Sequence, residues 1–422
     1  MSAQFQDDDE KKEEKDSYSF LKETIKKPPV DKRVVALKIL RVAGLGLIFG
    51  LMACVGFVVA KPWVDEHIGN TRTNVTIPQD ERTEEEDETE SEDGQAAVPS
   101  LTIENYQQMI DEMNQIADTV EKSVVVIEGT VPASEDGQTA GTKQSRSGII
   151  VADNGVELLI LTGDSIFESG KAVTATFYDG NEVTASLKQQ DRNLGIAVYA
   201  VEKSRLSQNT AIQASVAVLG NSNLVSTGDP VIALGAPFGS EGGVSFGTVS
   251  GTERQQYLCD GQYQMIETDM VRVDGASGVL VDLSGEIIGL IDEDEDGTSG
   301  VITAFAISEL KEEIELLSNG ISAAYLGING TEVSDAVADS QDMPKGVYVS
   351  SVMPDSPAMQ AGIQSGDIIT AIGDTKIYTL KGLKEELMDY RPGRQITIKG
   401  QRRGSEEYVD VQIGRASCRE RV

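Results

Sequence analysis

The chain has 422 residues and a formal net charge of −33, from 36 Lys and Arg against 69 Asp and Glu. This length exceeds one ordinary hydrophobic core, so we expect two or three folded units joined by linkers. Because so acidic a chain repels phosphate, the composition argues against nucleic acid as a partner.

The first segments in chain order are a charged tail and an apolar run. Residues 1–33 are rich in Asp, Glu, Lys and Ser, a composition typical of a disordered cytoplasmic tail. The uncharged residues 42–60 and their flanks predict a transmembrane helix over 34–61, because about 20 apolar residues cross a hydrocarbon core. Basic residues crowd its N-terminal side, namely Lys26, Lys27, Lys32, Arg33, Lys38 and Arg41. The positive-inside rule then predicts a single-pass protein of the cell membrane, with a cytoplasmic N-terminus and extracellular C-terminal domains. A buried core helix and a cleaved signal peptide are the alternatives.

An acidic segment and a helix follow. Residues 62–101 contain the run DERTEEEDETESEDG, and its mutually repelling charges predict an extended extracellular linker. From Tyr106 to Val120 apolar residues recur at spacings of three and four, which predicts an amphipathic helix packed on the next domain. Thr102 is its predicted N-cap.

Two patterned regions occupy the rest of the chain. Residues 123–306 consist of short runs of Val, Ile and Thr broken by Gly, Asn and Asp, which predicts a mainly β sandwich or barrel. A smaller domain over 323–412 contains the strand-like segments GVYVSSV, DIITAIG and QITIKGQ and the helix-like segments SPAMQAGI and LKGLKEELMDY.

Five segments resemble the HtrA family of trypsin-like serine proteases, and they occur in the family's order. They read SGIIV with ILTGDSIF, FYDGNEVTASLKQQDRNLGIAVYAV, GDPVIALGAPFGSEGGVSFGTVS, and IETDMVRVDGASGVLVDLSGEIIGL. The resemblance implies a trypsin-like domain over 102–320, built as two six-stranded β-barrels with the active cleft between them, followed by a PDZ domain over 323–412.

The residues at the catalytic positions depart from that family. The resemblance puts Ser165 at the position of the histidine and Gly195 at that of the aspartate, whereas Ser277 matches the nucleophile. The glycine and proline expected after the nucleophile are also disturbed, because Val279 follows Gly278 directly. A serine hydroxyl is a poor nucleophile unless a positioned base removes its proton.

No other residue of the sequence supplies an obvious base. The single histidine is His67, next to the predicted membrane segment. A Ser-Lys or Ser-carboxylate arrangement with Lys171, Asp164 or Asp274 is the alternative that keeps hydrolysis. The acidic run Asp292 to Asp296 has the residue types of a calcium site, but we interpret it as a charged loop and expect no metal and no cofactor.

The second domain resembles a PDZ domain through its YLGI element and the run from Gly346 to Ile377. The four residues of the element are Tyr325, Leu326, Gly327 and Ile328. In such domains this element presents backbone N–H groups to a peptide's terminal carboxylate, and the peptide adds as a strand at a sheet edge.

These observations lead to a hypothesis with two alternatives. The leading function is a membrane-anchored HtrA-like pseudoprotease that acts as a scaffold of the cell envelope and binds C-terminal or unfolded peptide segments. The alternatives are an active envelope serine endopeptidase of protein quality control and an inactive subunit assembled with an active relative. The resemblance also implies a homotrimer or such a hetero-oligomer.

The last ten residues, 413–422, read as an in-frame translation of a common short-read sequencing adaptor. We therefore interpret IGRASCRERV as an artefact and leave it out of the fold argument. That interpretation removes Cys418 from the cysteine count and leaves Cys54 and Cys259, for which we expect no intrachain disulfide.

Overall fold

The computed structural model describes most of the chain after residue 72. The described ranges are 73–80, 102–131, 142–163, 173–293, 300–404, 407–417 and 419–420. The predicted tail 1–33 and the predicted transmembrane helix 34–61 lie outside them. Within the described ranges, no helix combines the length and the apolar character that crossing a bilayer requires.

The first half of the larger domain is a closed six-stranded barrel with the strand order β1-β2-β3-β6-β5-β4. Its strands are β1 Val124–Val131, β2 Thr142–Asp153, β3 Glu157–Gly163, β4 Val173–Phe177, β5 Glu182–Asp191 and β6 Ile196–Glu202. Strand β3 reads ELLILTG and is buried along its whole length, whereas β4 alternates between buried and half-buried residues. This alternation fits a strand with one face turned to the barrel interior.

The second half forms another ring of six strands. Its sheet has the order β13-β12-β11-β7-β8-β10-β9, and the extra pairing of β13 with β10 closes the ring and leaves β9 as an arm. The strands are β7 Pro230–Ala236, β8 Gly243–Gly251, β9 Gln255–Leu258, β10 Gly261–Val271, β11 Ser277–Val281, β12 Ile287–Ile291 and β13 Val301–Ala306. The two rings confirm the expected double barrel, with helix α2 Gln208–Gln213 on the connection between them.

Helix α1 spans Ile103–Glu121, and its Thr102 side chain accepts a hydrogen bond from the Asn105 N–H, as expected of an N-cap. Only part of the predicted apolar stripe packs on the domain. Met113, Ala117 and Val120 are buried, but Tyr106 is 60% exposed. The first turns of the helix project past the barrel surface, so periodicity alone overstated the contact.

Residues 73–80 lie inside the segment predicted as a linker, yet they contact the larger domain. They run beside helix α3 Lys311–Ser318, where the Val75 N–H donates to Asn319 and the Ile77 N–H donates to Glu315. The Ile77 side chain is buried in the domain core. A short stretch of the predicted linker is therefore fixed to the folded domain.

The smaller domain is a sheet of β15-β16-β17-β19-β20, with β18 paired to β17 and β14 paired to β21. Its strands are β14 Ala324–Tyr325, β15 Ile328–Glu332, β16 Val347–Val352, β17 Ile368–Ile372, β18 Thr375–Lys376, β19 Gln395–Arg403, β20 Tyr408–Ser417 and β21 Arg419–Glu420. Its helices are α4 Asp335–Gln341, α5 Pro357–Ala361 and α6 Leu380–Met388. Strand β15 is an edge of the sheet, where a peptide strand can be added.

Part of the segment interpreted as an artefact, 413–422, continues strand β20 as far as Ser417. Backbone pairing requires no particular side chains, since every residue except proline carries the same N–H and C=O groups. The foreign origin of these residues stays a prediction.

Candidate functional site

A cleft of about 360 Å³ lies between the two barrels and contains two of the positions singled out from the sequence, Gly195 and the Gly278 that follows Ser277. Its lining comes from both barrels and consists of Ser147, Gly163, Arg192, Asn193, Leu194, Gly195, Ile196, Gln256, Leu258, Gly278, Leu290, Ile291, Asp292, Glu293 and Phe305. Ser165 lies outside the described residues, as do Lys171 and Asp164.

Ser277, at the nucleophile position, is the first residue of β11 and is buried, with 1% of its surface exposed. Its Oγ accepts a hydrogen bond from the Ser147 N–H on β2, at 3.1 Å. The hydroxyl is therefore turned toward the neighbouring strand. A nucleophilic serine also needs a base within about 3 Å of its Oγ, and the only histidine in the sequence, His67, lies outside the described residues.

Gly278 and its partner Gly235 allow the strands around Ser277 to approach closely. Gly278 has a φ of +126°, and a Cβ built there would overlap the Leu234 carbonyl. Gly235, opposite it on β7, has a φ of +114° and lies against Ser147. Only glycine fits both conformations without strain, so this packing fixes the backbone that carries Ser277.

An ion pair lies at the edge of the cleft. The Arg146 Nε donates to the Glu293 carboxylate at 2.9 Å, and both side chains are mostly buried. A Cβ at Gly163 would overlap that carboxylate, so Glu293 lies against the end of strand β3. Glu293 belongs to the acidic run interpreted as a loop, and among the described residues no cluster of ligands suited to a metal occurs.

The loop that carries Gly195 is ordered by the side chain of Asp191. Its Oδ1 accepts the N–H groups of Asn193 at 2.8 Å and Leu194 at 3.2 Å, and Gly195 follows with a φ of +68°. The Asn193 side-chain amide donates to the Cys259 carbonyl at 2.9 Å, and its oxygen accepts the Cys259 N–H at 3.2 Å. One wall of the cleft is thus joined to the turn between β9 and β10.

The predicted carboxylate-binding element of the smaller domain holds a carboxylate from the chain itself. The N–H groups of Leu326, Gly327 and Ile328 all donate to the two carboxylate oxygens of Asp260, at 2.8 to 2.9 Å. The Asp260 N–H donates to the Ile328 carbonyl at 2.8 Å. Asp260 is completely buried in this position.

Gly327 is required at the centre of this element. Its φ is +91°, and a Cβ there would overlap the Ser356 side chain. Leu326 and Ile328 on either side are fully buried in the core of the smaller domain, and Tyr325 is half-buried beside them. The backbone of the element is therefore held in place, with its N–H groups pointing together.

Charged side chains join the smaller domain to the larger one next to this element. The Nζ atoms of Lys381 and Lys384 on α6 each lie 2.8 Å from the Glu309 carboxylate of the larger domain. Lys384 also lies over the Tyr263 ring, 4.2 Å from its centroid. Burial alone would raise the pKa of Glu309, but the two ammonium groups outweigh burial and lower it.

Asp260 could not be assigned a role from the sequence. Cys259 and Asp260 form a two-residue connection from β9 to β10. The contact with Leu326, however, joins residues 66 positions apart in different domains. No local pattern reports such a contact.

Comparison with known families agrees with this arrangement. Residues 146–290 match the description "Trypsin-like peptidase domain" and residues 324–413 match "PDZ domain". A "Probable periplasmic serine protease do/HhoA-like" from Haemophilus influenzae is 29% identical over 335 residues, covering 76% of this chain and 69% of that protein. A "Probable periplasmic serine endoprotease DegP-like" from Hahella chejuensis is 32% identical over 64% of this chain and 56% of its own length.

The solved structures extend the comparison to the fold. The HtrA-type protease AlgW with a tripeptide superposes with a TM-score of 0.52 at 22% identity, over 72% of this chain and 96% of that one. The chain is thus similar to periplasmic serine endoproteases, and it contains a trypsin-like peptidase domain followed by a PDZ domain. It spans between about half and two thirds of the length of the curated relatives, as the 69%, 59% and 52% coverages show.

Proposed function

We propose that this chain is a membrane-anchored HtrA-type protein of the cell envelope that binds the C-termini of other proteins through its PDZ domain. Its peptidase domain acts as a scaffold, because Ser165 and Gly195 supply neither the base nor the carboxylate of a triad. The periplasmic descriptions of the relatives support the envelope location. The tripeptide in the AlgW structure is in line with peptide binding.

One observation carries this proposal, namely the convergence of the Leu326, Gly327 and Ile328 N–H groups on a carboxylate. Hydrogen bonds to an ionised acceptor are worth roughly twice as much as neutral ones, so this element favours carboxylates over amides or alcohols. The free edge of β15 continues from it, so a peptide can pair its backbone there while its terminus binds the element.

We expect peptides with a free C-terminus and an apolar last residue to bind at least about 10-fold more tightly than their C-terminal amides, since amidation weakens several charge-assisted bonds of about 1.5–3 kcal/mol each. Fluorescence anisotropy with fluorescein-labelled decapeptides ending in Val, Ile, Leu or Phe measures the difference on the full-length chain. Changing the peptide rather than the protein avoids folding defects, which a change at the buried Leu326 would introduce.

Equal affinity for acid and amide peptides would contradict carboxylate recognition. That result must hold both in the wild-type chain and in an Asp260→Gly chain, whose element is not occupied by the internal carboxylate. The domain would then serve as a spacer or as a contact between subunits.

A second candidate function is an active serine endopeptidase. The descriptions of the relatives favour it, and Ser277 keeps the nucleophile position. A direct test of Ser277 separates the two candidates, because only the second requires an activated hydroxyl.

Membrane anchoring through residues 34–61 is a further part of the proposal. We expect a protease added to intact cells, with the outer surface made accessible, to digest the chain beyond about residue 61 and to spare the basic N-terminal side. Immunoblots with tags at the N-terminus and after Gln412 follow the two ends. Protection of the tag after Gln412 would contradict the orientation.

A further inference from the structure

We propose that Asp260 is an internal ligand of the PDZ domain, and that a peptide with a C-terminal carboxylate binds by displacing it. The inference rests on the proposed function, since it concerns how the same site is regulated. Asp260 reproduces both features of a terminal residue at such a site. Its carboxylate accepts the three N–H groups of the element, and its own N–H pairs with the Ile328 carbonyl at the start of edge strand β15.

The turn between β9 and β10 presents the carboxylate in one fixed direction. Leu258 and Gly261 pair directly, so the turn consists of Cys259 and Asp260 alone. Asp260 has a φ of +62°, a conformation that aspartate tolerates better than most residues and that is rare outside turns and functional sites. A two-residue turn leaves little freedom, so the carboxylate is held ready for the element.

Contacts away from Asp260 keep the two domains together. Lys384 and Lys381 bind Glu309, and Lys384 lies over the Tyr263 ring. Because none of these contacts involves the carboxylate-binding element, the internal carboxylate stays close to the element even when a peptide has replaced it. A ligand on the same chain competes at a high effective concentration, about millimolar for short connections.

Replacement of Asp260 by a peptide at the PDZ domain therefore affects the cleft between the barrels. Cys259 precedes Asp260 directly and shares two hydrogen bonds with Asn193. Asn193 belongs to the Asp191–Gly195 loop, which lines the cleft. A peptide that displaces Asp260 shifts the turn, and the shift changes the contact that orders this loop. Two sites are coupled in this way through a single turn whose position both of them influence.

Removing the internal ligand should reveal the full affinity of the site. Apparent affinity falls in proportion to the fraction of molecules in the open state, so a site that is open in about 1 to 10% of molecules binds about 10- to 100-fold more weakly than its intrinsic affinity. Asp260→Gly removes the carboxylate and suits the positive φ, since glycine adopts it without strain. We expect this variant to bind free-acid peptides about 10- to 100-fold more tightly than the wild-type chain.

Asp342→Gly is the matched control. Asp342 also has a positive φ, of +50°, but it ends helix α4 and lies outside the carboxylate-binding element. The same chemical change at the same kind of backbone conformation should leave peptide affinity at the wild-type level. Asp260→Asn, which keeps the size of the side chain and removes its charge, should give an affinity between those of the wild-type and Asp260→Gly chains.

The experiment measures fluorescein-labelled decapeptides ending in Val, Ile, Leu or Phe, as free acids and as amides, against the four full-length chains. A gain for free acids in Asp260→Gly that is absent in Asp342→Gly supports the inference. Equal free-acid affinity in the wild-type, Asp260→Gly and Asp260→Asn chains overturns it and leaves the proposed function standing. Failure of both the wild-type and the Asp260→Gly chains to distinguish acids from amides overturns the proposed function itself.

Hydrogen exchange on the wild-type chain gives a readout that needs no variant. Adding free-acid peptide should increase exchange in the turn at residues 259–260 and in the loop at 191–195, because both lose their present contacts, and the amide peptide should leave both unchanged. Free-acid binding without any change at these two segments would contradict displacement of Asp260.

Discussion

The full-length chain is expected to leave casein intact and to remain unlabelled by a serine-reactive fluorophosphonate probe. The Ser277 Oγ is buried and accepts the Ser147 N–H, and the resemblance places Ser165 and Gly195 where a triad needs histidine and aspartate. Removing such a triad from a serine protease lowers kcat by about 10⁶-fold. The wild-type chain and Ser277→Ala should therefore give the same background rate.

The control is a catalytically active serine protease under the same conditions. Labelling of the wild-type chain that disappears in Ser277→Ala would show an activated hydroxyl and would establish the endopeptidase alternative. We further expect Ser165→His combined with Gly195→Asp to restore little activity. Val279 follows Gly278 directly, and poorly placed oxyanion donors cost about 10²- to 10³-fold in rate.

Glu309→Gln is expected to destabilise the docking of the PDZ domain by about 3 kcal/mol at pH 7. The side chains of Glu309 and Lys384 are only 6% and 4% exposed, so the change leaves a buried ammonium without its anion. The Tyr263 ring over which Lys384 lies offsets part of the loss. Denaturant unfolding of the full-length chain measures the effect, and the hydrogen exchange of α6 gives the local readout.

Asp335→Asn is the matched control, since it removes the anion of another Lys pair within the PDZ domain. Lys345 and Asp335 are 2.7 Å apart, but their side chains are 54% and 82% exposed. Water and salt screen such a pair, so the expected loss is much smaller than that of Glu309→Gln. Equal effects of the two substitutions would contradict the importance of burial at Glu309.

The effect of Glu309→Gln should also depend on pH. Because the two lysines lower the pKa of Glu309 in the folded chain, its carboxylate stabilises the fold fully above the unfolded value of 4.5. That contribution is lost as the pH falls through the lowered pKa. The pKa of Glu312 is raised, chiefly by burial and then by the charge of Asp389. The titration of Glu312 therefore changes stability in the opposite direction to that of Glu309. Subtracting variant from wild-type stability at each pH isolates Glu309.

Local patterns predicted the fold well, because strands and caps report their environment within a few residues. The apolar runs predicted a mainly β sandwich or barrel, the resemblance implied two barrels, and Thr102 predicted the start of α1. The YLGI element predicted N–H groups that bind a carboxylate; in the structure they bind that of Asp260, and peptide binding there stays a prediction. In each case the pattern and the structure it predicts lie on the same short stretch of chain.

The contacts that the sequence did not reveal join distant residues. Asp260 and Leu326 are 66 positions apart, and Val75 and Asn319 are 244 positions apart. Residues 73–80 have no strong apolar periodicity and lie next to an acidic run, so composition alone favoured a linker. The hydrogen-bond partners of these polar groups depend on how the folded surfaces pack together. That packing is determined by residues throughout the chain.

The order of Asp260 and Leu326 along the chain has a consequence for synthesis. Domains fold in sequence as the ribosome releases them, and the turn that carries Asp260 emerges 66 residues before the element that binds it. The PDZ domain thus completes its fold with its own carboxylate already nearby. On this order of folding, Asp260 reaches the element before any terminus of another protein is needed.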